Sequence, residues 1–172
     1  MRRRIMGLGL LALSGCVGSH EVRESSLAVG RLSRRGTVYI ARPEDGRYGS
    51  TVYPGSGDAV VSALLAAMLN RVAMVEAAAV VEAPDLALVS ARSRGAAYLL
   101  LPLISGWEDR ATEWSALPDR IEIVLTLQDA ESGAIVDRRI ISARSTWWTL
   151  GGDRPQDLLP KPISEYAAAM AV

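Results

Sequence analysis

The sequence predicts an α/β fold built on a single mixed sheet, with a parallel strand-helix-strand half, a C-terminal antiparallel hairpin and a docking C-terminal helix. Three observations carry that expectation. Strand-like and helix-like segments alternate from Thr37 to Ile104, the run from Arg120 to Asp129 alternates polar with apolar residues, and Ile163, Tyr166 and Met170 form one stripe near the end of the chain.

The first strand is expected at Thr37-Val-Tyr-Ile-Ala, whose β-branched and aromatic residues lie between Gly36 and Pro43. Pro43 to Gly49 reads as turn and loop. Gly55-Ser-Gly-Asp58 then leads into a helix over Ala59 to Val72, where Val60, Leu64 and Met68, flanked by Val61, Leu65 and Leu69, make a wide apolar face for burial against a sheet. The glycines before this helix do not make a nucleotide site: no Gly-Lys-Ser/Thr follows, and Asp58 would place negative charge at the positive helix end.

Met74 to Val81 is the next strand, and Ala83-Pro-Asp85 opens a short helix ending near Gly95. Ala96 to Ile104 is almost continuously apolar, the pattern of a strand buried on both faces, with Pro102 placing its later part at an edge or bulge. In the alternating run, Ile121, Ile123, Leu125 and Leu127 share one face; the Ala130-Glu-Ser-Gly133 turn returns the chain through Ala134 to Ser145. Pro155-Gln-Asp-Leu-Leu and two further prolines precede the final helix.

The amino terminus carries a different signal. Arg2, Arg3 and Arg4 precede an apolar stretch from Ile5 to Leu13, too short to span a bilayer, and Leu13-Ser-Gly15-Cys16 resembles the bacterial lipobox. Small Ser14 and Gly15 let an extended chain enter a peptidase cleft, and the thiol of Cys16 is the nucleophile that takes a lipid. Cleavage between Gly15 and Cys16 with lipidation of Cys16 is therefore expected. The chain divides into residues 1–15 as a lipoprotein signal peptide, 16–36 as lipidated cysteine and flexible tether, and 37–172 as an α/β globular domain. The tether reading rests on small, polar residues without a sustained period, and it makes His20 a solvated linker histidine.

Residues 1–15 hold three arginines and no acid, so the balance of 19 basic against 19 acidic residues becomes 16 against 19. With no basic stripe downstream, a nucleic-acid partner is disfavoured. Lipidation of the single cysteine leaves none for an internal disulfide, so stability must come from packing, for which 49% hydrophobic residues suffice. Val17 lacks the aspartate that commonly retains lipoproteins at the inner membrane, which points to the outer membrane, facing the periplasm.

Trp107-Glu-Asp-Arg-Ala-Thr-Glu-Trp-Ser115, joining the apolar strand to the hairpin, is the most distinctive segment. Together with Tyr48-Gly, Gly55-Ser-Gly, Tyr98 to Ile104, Pro118-Asp119 and Gly152 to Leu159, it resembles a family of uncharacterised bacterial lipoproteins classed as a domain of unknown function. The resemblance covers nearly the whole mature chain. A weaker, architectural likeness is to the curli-secretion lipoprotein and the TolB amino-terminal region. The family implies envelope location and brings no reaction or catalytic residues.

Within that segment Glu108, Asp109 and Glu113 supply carboxylates, but neighbouring side chains on an extended chain diverge, and no histidine, free thiol or Gly-x-Ser-x-Gly completes a catalytic set. No metal or cofactor pattern is present. The leading reading is an internal ion pair of Arg110 with Glu108 or Glu113 under packing by Trp107 and Trp114; a protein or glycan recognition surface comes next, and catalysis last. Trp147 and Trp148 divide in the same way, one side chain to each face of a strand. The expected role is a non-catalytic accessory or assembly module of the cell envelope that binds the membrane through its lipid and another envelope protein or glycan, with homo-oligomers open. The rival is an envelope hydrolase or small-ligand binder using the segment from Trp107 to Trp114.

Overall fold

The computed structural model describes residues 19–24, 31–110, 117–145 and 154–171. Six strands form one mixed sheet in the order β1-β8-β7-β6-β2-β5, with β2 parallel to both β5 and β6 and every other pairing antiparallel. In chain order these are β1 (Ser19–Glu24), β2 (Thr37–Arg42), β5 (Met74–Val81), β6 (Tyr98–Glu108), β7 (Arg120–Asp129) and β8 (Ile135–Arg144); β3 (Arg47–Tyr48) and β4 (Thr51–Val52) make a separate small hairpin. The helices are α1 (Ser56–Met68), α2 (Pro84–Ser93) and α3 (Pro160–Met170), the last preceded by a single 3-10 turn at Pro155–Leu158. Among the described helices none is long and apolar enough to cross a membrane.

Topology places the helices. From β2 the chain crosses through α1 to β5 at the sheet edge, then returns through α2 past β2 to β6, and two right-handed crossovers running in opposite directions put their helices on opposite faces. Leu64 and Met68 of α1 pack with Ile40 of β2, Leu100 of β6, Ile123 of β7 and Tyr166 of α3 in the larger core. A smaller core lies under α2, where Ala87 and Ala91 meet Tyr39, Ala78 and Leu99. Burial pushes the Tyr166 phenol pKa upward, so the hydroxyl stays neutral.

Helix α1 begins three residues before the expected Ala59. Gly55 takes φ +85°, and its cap comes from a distant residue: Asp45 Oδ1 accepts the Gly57 N–H at 2.9 Å, while Asp58 forms an ion pair with Arg42. The positive helix end is thus already met by a carboxylate. β6 runs past Ile104 to Glu108, and its burial on both faces fades after Pro102; Leu103 is 58% exposed because α2 does not reach that far. Beyond Leu100 the strand has no register partner in β2, so Pro102 lies at a local edge where its missing N–H is tolerated.

The flexible tether is corrected over residues 19–24. These form β1, paired along its whole length with β8, and Leu32 is completely buried, its N–H donating to the Met170 carbonyl at 2.8 Å. His20 is no solvated linker residue either: its side chain is 17% exposed and its Nε2 lies 2.8 Å from Glu165 Oε2 on α3. A polar edge strand is held by backbone bonding, which a hydrophobic period does not reveal.

Candidate recognition surface

Among the described residues, no helix covers one face of β6 beyond Leu101 or of β7, β8 and β1. Register builds two polar rows on it. Glu108 stands opposite Arg120, Arg120 opposite Arg144, and Arg144 opposite Ser19; in the next row Glu122 stands opposite Ser142, and Ser142 opposite Glu21. Ser105, bulged out of register in β6, joins the second row by donating to Glu122 Oε1 at 2.8 Å. Between the rows lies a groove of about 720 Å³ lined by these side chains. Beyond it Leu103, Val124 and Ile140 form an apolar row.

The described part of the segment singled out in the sequence, Trp107 to Arg110, adjoins this groove through Glu108 and is fastened at its rim. Arg110 Nη2 lies 2.5 Å from Glu108 Oε2, and the two side chains are only 22% and 19% exposed. The guanidinium also sits over the Tyr48 ring, 5.4 Å from its centre, and donates to the Tyr48 hydroxyl at 3.2 Å. Tyr48 is delivered by the β3–β4 hairpin, which turns at Gly49 with φ +59°. On the main chain, the Arg110 N–H donates to Asp119 Oδ1 at 2.6 Å, and Asp119 is locked in turn by its own N–H to Ser145 Oγ at 3.0 Å.

Asp119 and Tyr48 were not picked out as site residues. Their isolated positions carry no chemical spacing, and Tyr48-Gly and Pro118-Asp119 entered only as parts of the family resemblance. Asp109 is exposed and stands outside the ion pair. Glu113 and Trp114, like Gly15, Cys16, Trp147 and Trp148, lie outside the described residues.

Trp107 packs inward. It is 3% exposed, faces the α1 side opposite Ile121, and closes on Gly46, where a Cβ would lie 2.6 Å from Trp107 Cβ. Its role is to pin the strand to the loop before α1. Of the segment's described carboxylates, Glu108 holds the rim through Arg110 and Asp109 takes no part in that pair. Among the described residues no group of His, Cys, Asp and Glu is arranged to hold a metal ion.

A family model described as a domain of unknown function (DUF4823) matches residues 30–170. The chain belongs to this family. No curated protein matches it. Among solved structures it is similar to the PelC dodecamer from Paraburkholderia phytofirmans, with 22% identity, a TM-score of 0.62, and coverage of 85% of this chain and 96% of that one. It is also similar to protein XCC0632 from Xanthomonas campestris, at 14% identity and a TM-score of 0.50 over 84% of this chain and 85% of that one. A third likeness is to lipoprotein GNA1162 from Neisseria meningitidis, at 12% identity and a TM-score of 0.50 over 64% and 83%. At these identities the likeness is one of fold.

Proposed function

We propose that this protein is a lipid-anchored lipoprotein of the cell envelope, held through Cys16 on the outer membrane and facing the periplasm, where it acts as a non-catalytic assembly module. The lipobox supports the anchor, and the fold shared with a protein described as a lipoprotein agrees with it. The observation that carries the assembly role is the β5 flank. β5 ends the sheet with one edge unpaired among the described residues; Met74, Val80 and Val81 on it are exposed, as are Leu86 and Val89 on α2. Large exposed apolar side chains beside a free strand edge favour association.

The occupant we assign to that flank is a second copy of the chain, in keeping with the dodecameric state of the similar PelC structures. A flank that pairs with a different surface of the next copy builds a ring when the rotation closes. The test is the mass of the full chain in detergent: a discrete oligomer is expected, and Val80→Lys with Leu86→Glu should reduce it to monomers that stay folded. A wild-type monomer at micromolar concentration removes the assembly role. Crosslinked pull-down from intact envelopes then identifies any further envelope protein. Turnover of peptidoglycan or ester substrates that disappears in Glu108→Gln, with folding unchanged, would favour the hydrolase reading instead.

A further inference from the structure

The groove on the open sheet face holds features that packing alone does not explain. Arg120 and Arg144 are directly opposed on adjacent strands, an arrangement of like charges that weakens pairing. Arg144 Nε donates to Ser19 Oγ at 2.7 Å, whereas Arg120 has no ion pair among the described residues, since Glu108 opposite it is taken by Arg110. On the groove floor Ser142 Oγ is buried without a hydrogen-bond partner among the described residues, and Glu108 Oε2, although in contact with Arg110, is not aligned for a hydrogen bond. An unsatisfied buried hydroxyl is costly enough to be uncommon in native proteins.

We propose that this groove is a binding site for an acidic saccharide, a sugar bearing one carboxylate, with Arg120 and Arg144 clamping the carboxylate and Glu122 and Ser142 taking ring hydroxyls. Two guanidiniums offer the planar fork that a carboxylate fits. The sugar follows from what surrounds them. Glu122, one row on and about 7 Å along the strand, accepts O–H donors and repels a multiply charged anion. The other carboxylates already have cationic partners, Glu108 with Arg110 and Glu21 with Arg23, so an amine on the ligand finds less than a hydroxyl does. A volume of about 720 Å³ is of ligand-site size, and its mostly polar lining excludes an apolar guest.

This inference is independent of the lipid anchor and of the β5 flank. The full chain in detergent is titrated calorimetrically with glucuronate, glucose, acetate and inorganic phosphate. Glucuronate should saturate at roughly millimolar concentration, with glucose and acetate each at least about tenfold weaker. Arg120→Gln should weaken glucuronate about tenfold or more, and Ser142→Ala should weaken glucuronate but not acetate. The unfolding midpoint of Arg120→Gln should hold or rise, because the opposed charges are relieved. Phosphate binding as tight as glucuronate, an Arg120→Gln chain that still binds glucuronate normally, or no saturation by about 50 mM glucuronate would each overturn the proposal.

Discussion

The two halves of the sheet are built from strands of similar length and differ in what covers them. Around β2 and β6, α1 lies on one face and α2 on the other, so Ile40 and Leu100 are completely buried toward α1 and Leu99 toward α2. Even the polar groups there are engaged: the Tyr39 hydroxyl donates to Glu82 at 3.2 Å, Ser90 donates to the other Glu82 oxygen at 2.7 Å, and Arg94 lies over the Tyr39 ring. Burial, and next the charge of Glu82, raise the Tyr39 pKa, which keeps the hydroxyl a donor. Around β7, β8 and β1 no second helical layer is present among the described residues, and that face carries charge and serine. Both faces are buried only in the three-layer half, and the groove proposed above as a binding site lies on the open face of the two-layer half.

The sharpest test compares two leucines three residues apart on β6. Leu100→Ala removes a completely buried side chain and should cost about 2–5 kcal/mol, whereas Leu103→Ala, at 58% exposure, should cost under about 1 kcal/mol. Denaturant unfolding of both variants measures the difference. Equal losses would mean that the open face is covered in solution.

The two halves were not equally legible in the sequence. The parallel half and the β7–β8 hairpin follow from hydrophobic period and turn residues, since helices and core strands are selected by burial. The rim was harder. The bulge at Ser105 puts Ile104 and Trp107 on the same face although they are three residues apart, so a period of two assigns the indole to the wrong side. β1 escaped because only Val22 among its described side chains is a strongly apolar residue, and the Asp119 and Asp45 contacts escaped because each links segments distant in sequence.

A second prediction tests the seam between rim and core. Gly46→Ala would bring a methyl to 2.6 Å from Trp107 Cβ and 2.8 Å from Ile104 Cγ2, atoms close to the backbone that cannot swing away. Overpacking of this kind should cost about 1–3 kcal/mol. A crystal structure of the variant should show β6 displaced at Trp107. An unfolding midpoint equal to wild type would show that the loop before α1 yields freely.

Within the rim itself, Arg110→Ala breaks a partly buried pair and leaves Glu108 without its cation, at a cost of about 1–3 kcal/mol. Glu108→Gln keeps shape and should cost less. If the rim supports the groove, Arg110→Ala should also weaken glucuronate binding, while Asp109→Asn, an exposed change, should alter neither property. Thermal unfolding and calorimetry on the same samples separate a structural loss from a binding loss.

The smallest effect is expected where the two halves meet, at the β7–β8 turn. Arg92 of α2 reaches across to the Ala130 and Glu131 carbonyls at 2.6 and 2.9 Å, so the helix that covers one half also holds the hairpin of the other. Asp129 closes the turn from within: its Oδ1 accepts the Ser132 N–H at 2.8 Å and the Ser132 hydroxyl at 2.7 Å. The backbone donor, then the hydroxyl, stabilise the charged carboxylate and lower its pKa from the ordinary 3.8. The sign follows from linkage. A carboxyl with a lower pKa in the folded state adds stability that is fully present above the unfolded-state pKa and is lost as pH falls through the folded-state value. Asp129→Asn keeps an acceptor oxygen but cannot titrate. Its stability deficit against wild type should therefore be constant from neutral pH down to about pH 5, and should shrink on further acidification. The titration of Asp129 followed by carboxyl-carbon NMR provides the direct check, with a midpoint expected below 3.8. A midpoint at or above 3.8 would mean that the Asp129–Ser132 contacts open in solution, and that Arg92 is the side chain that still holds the turn to α2.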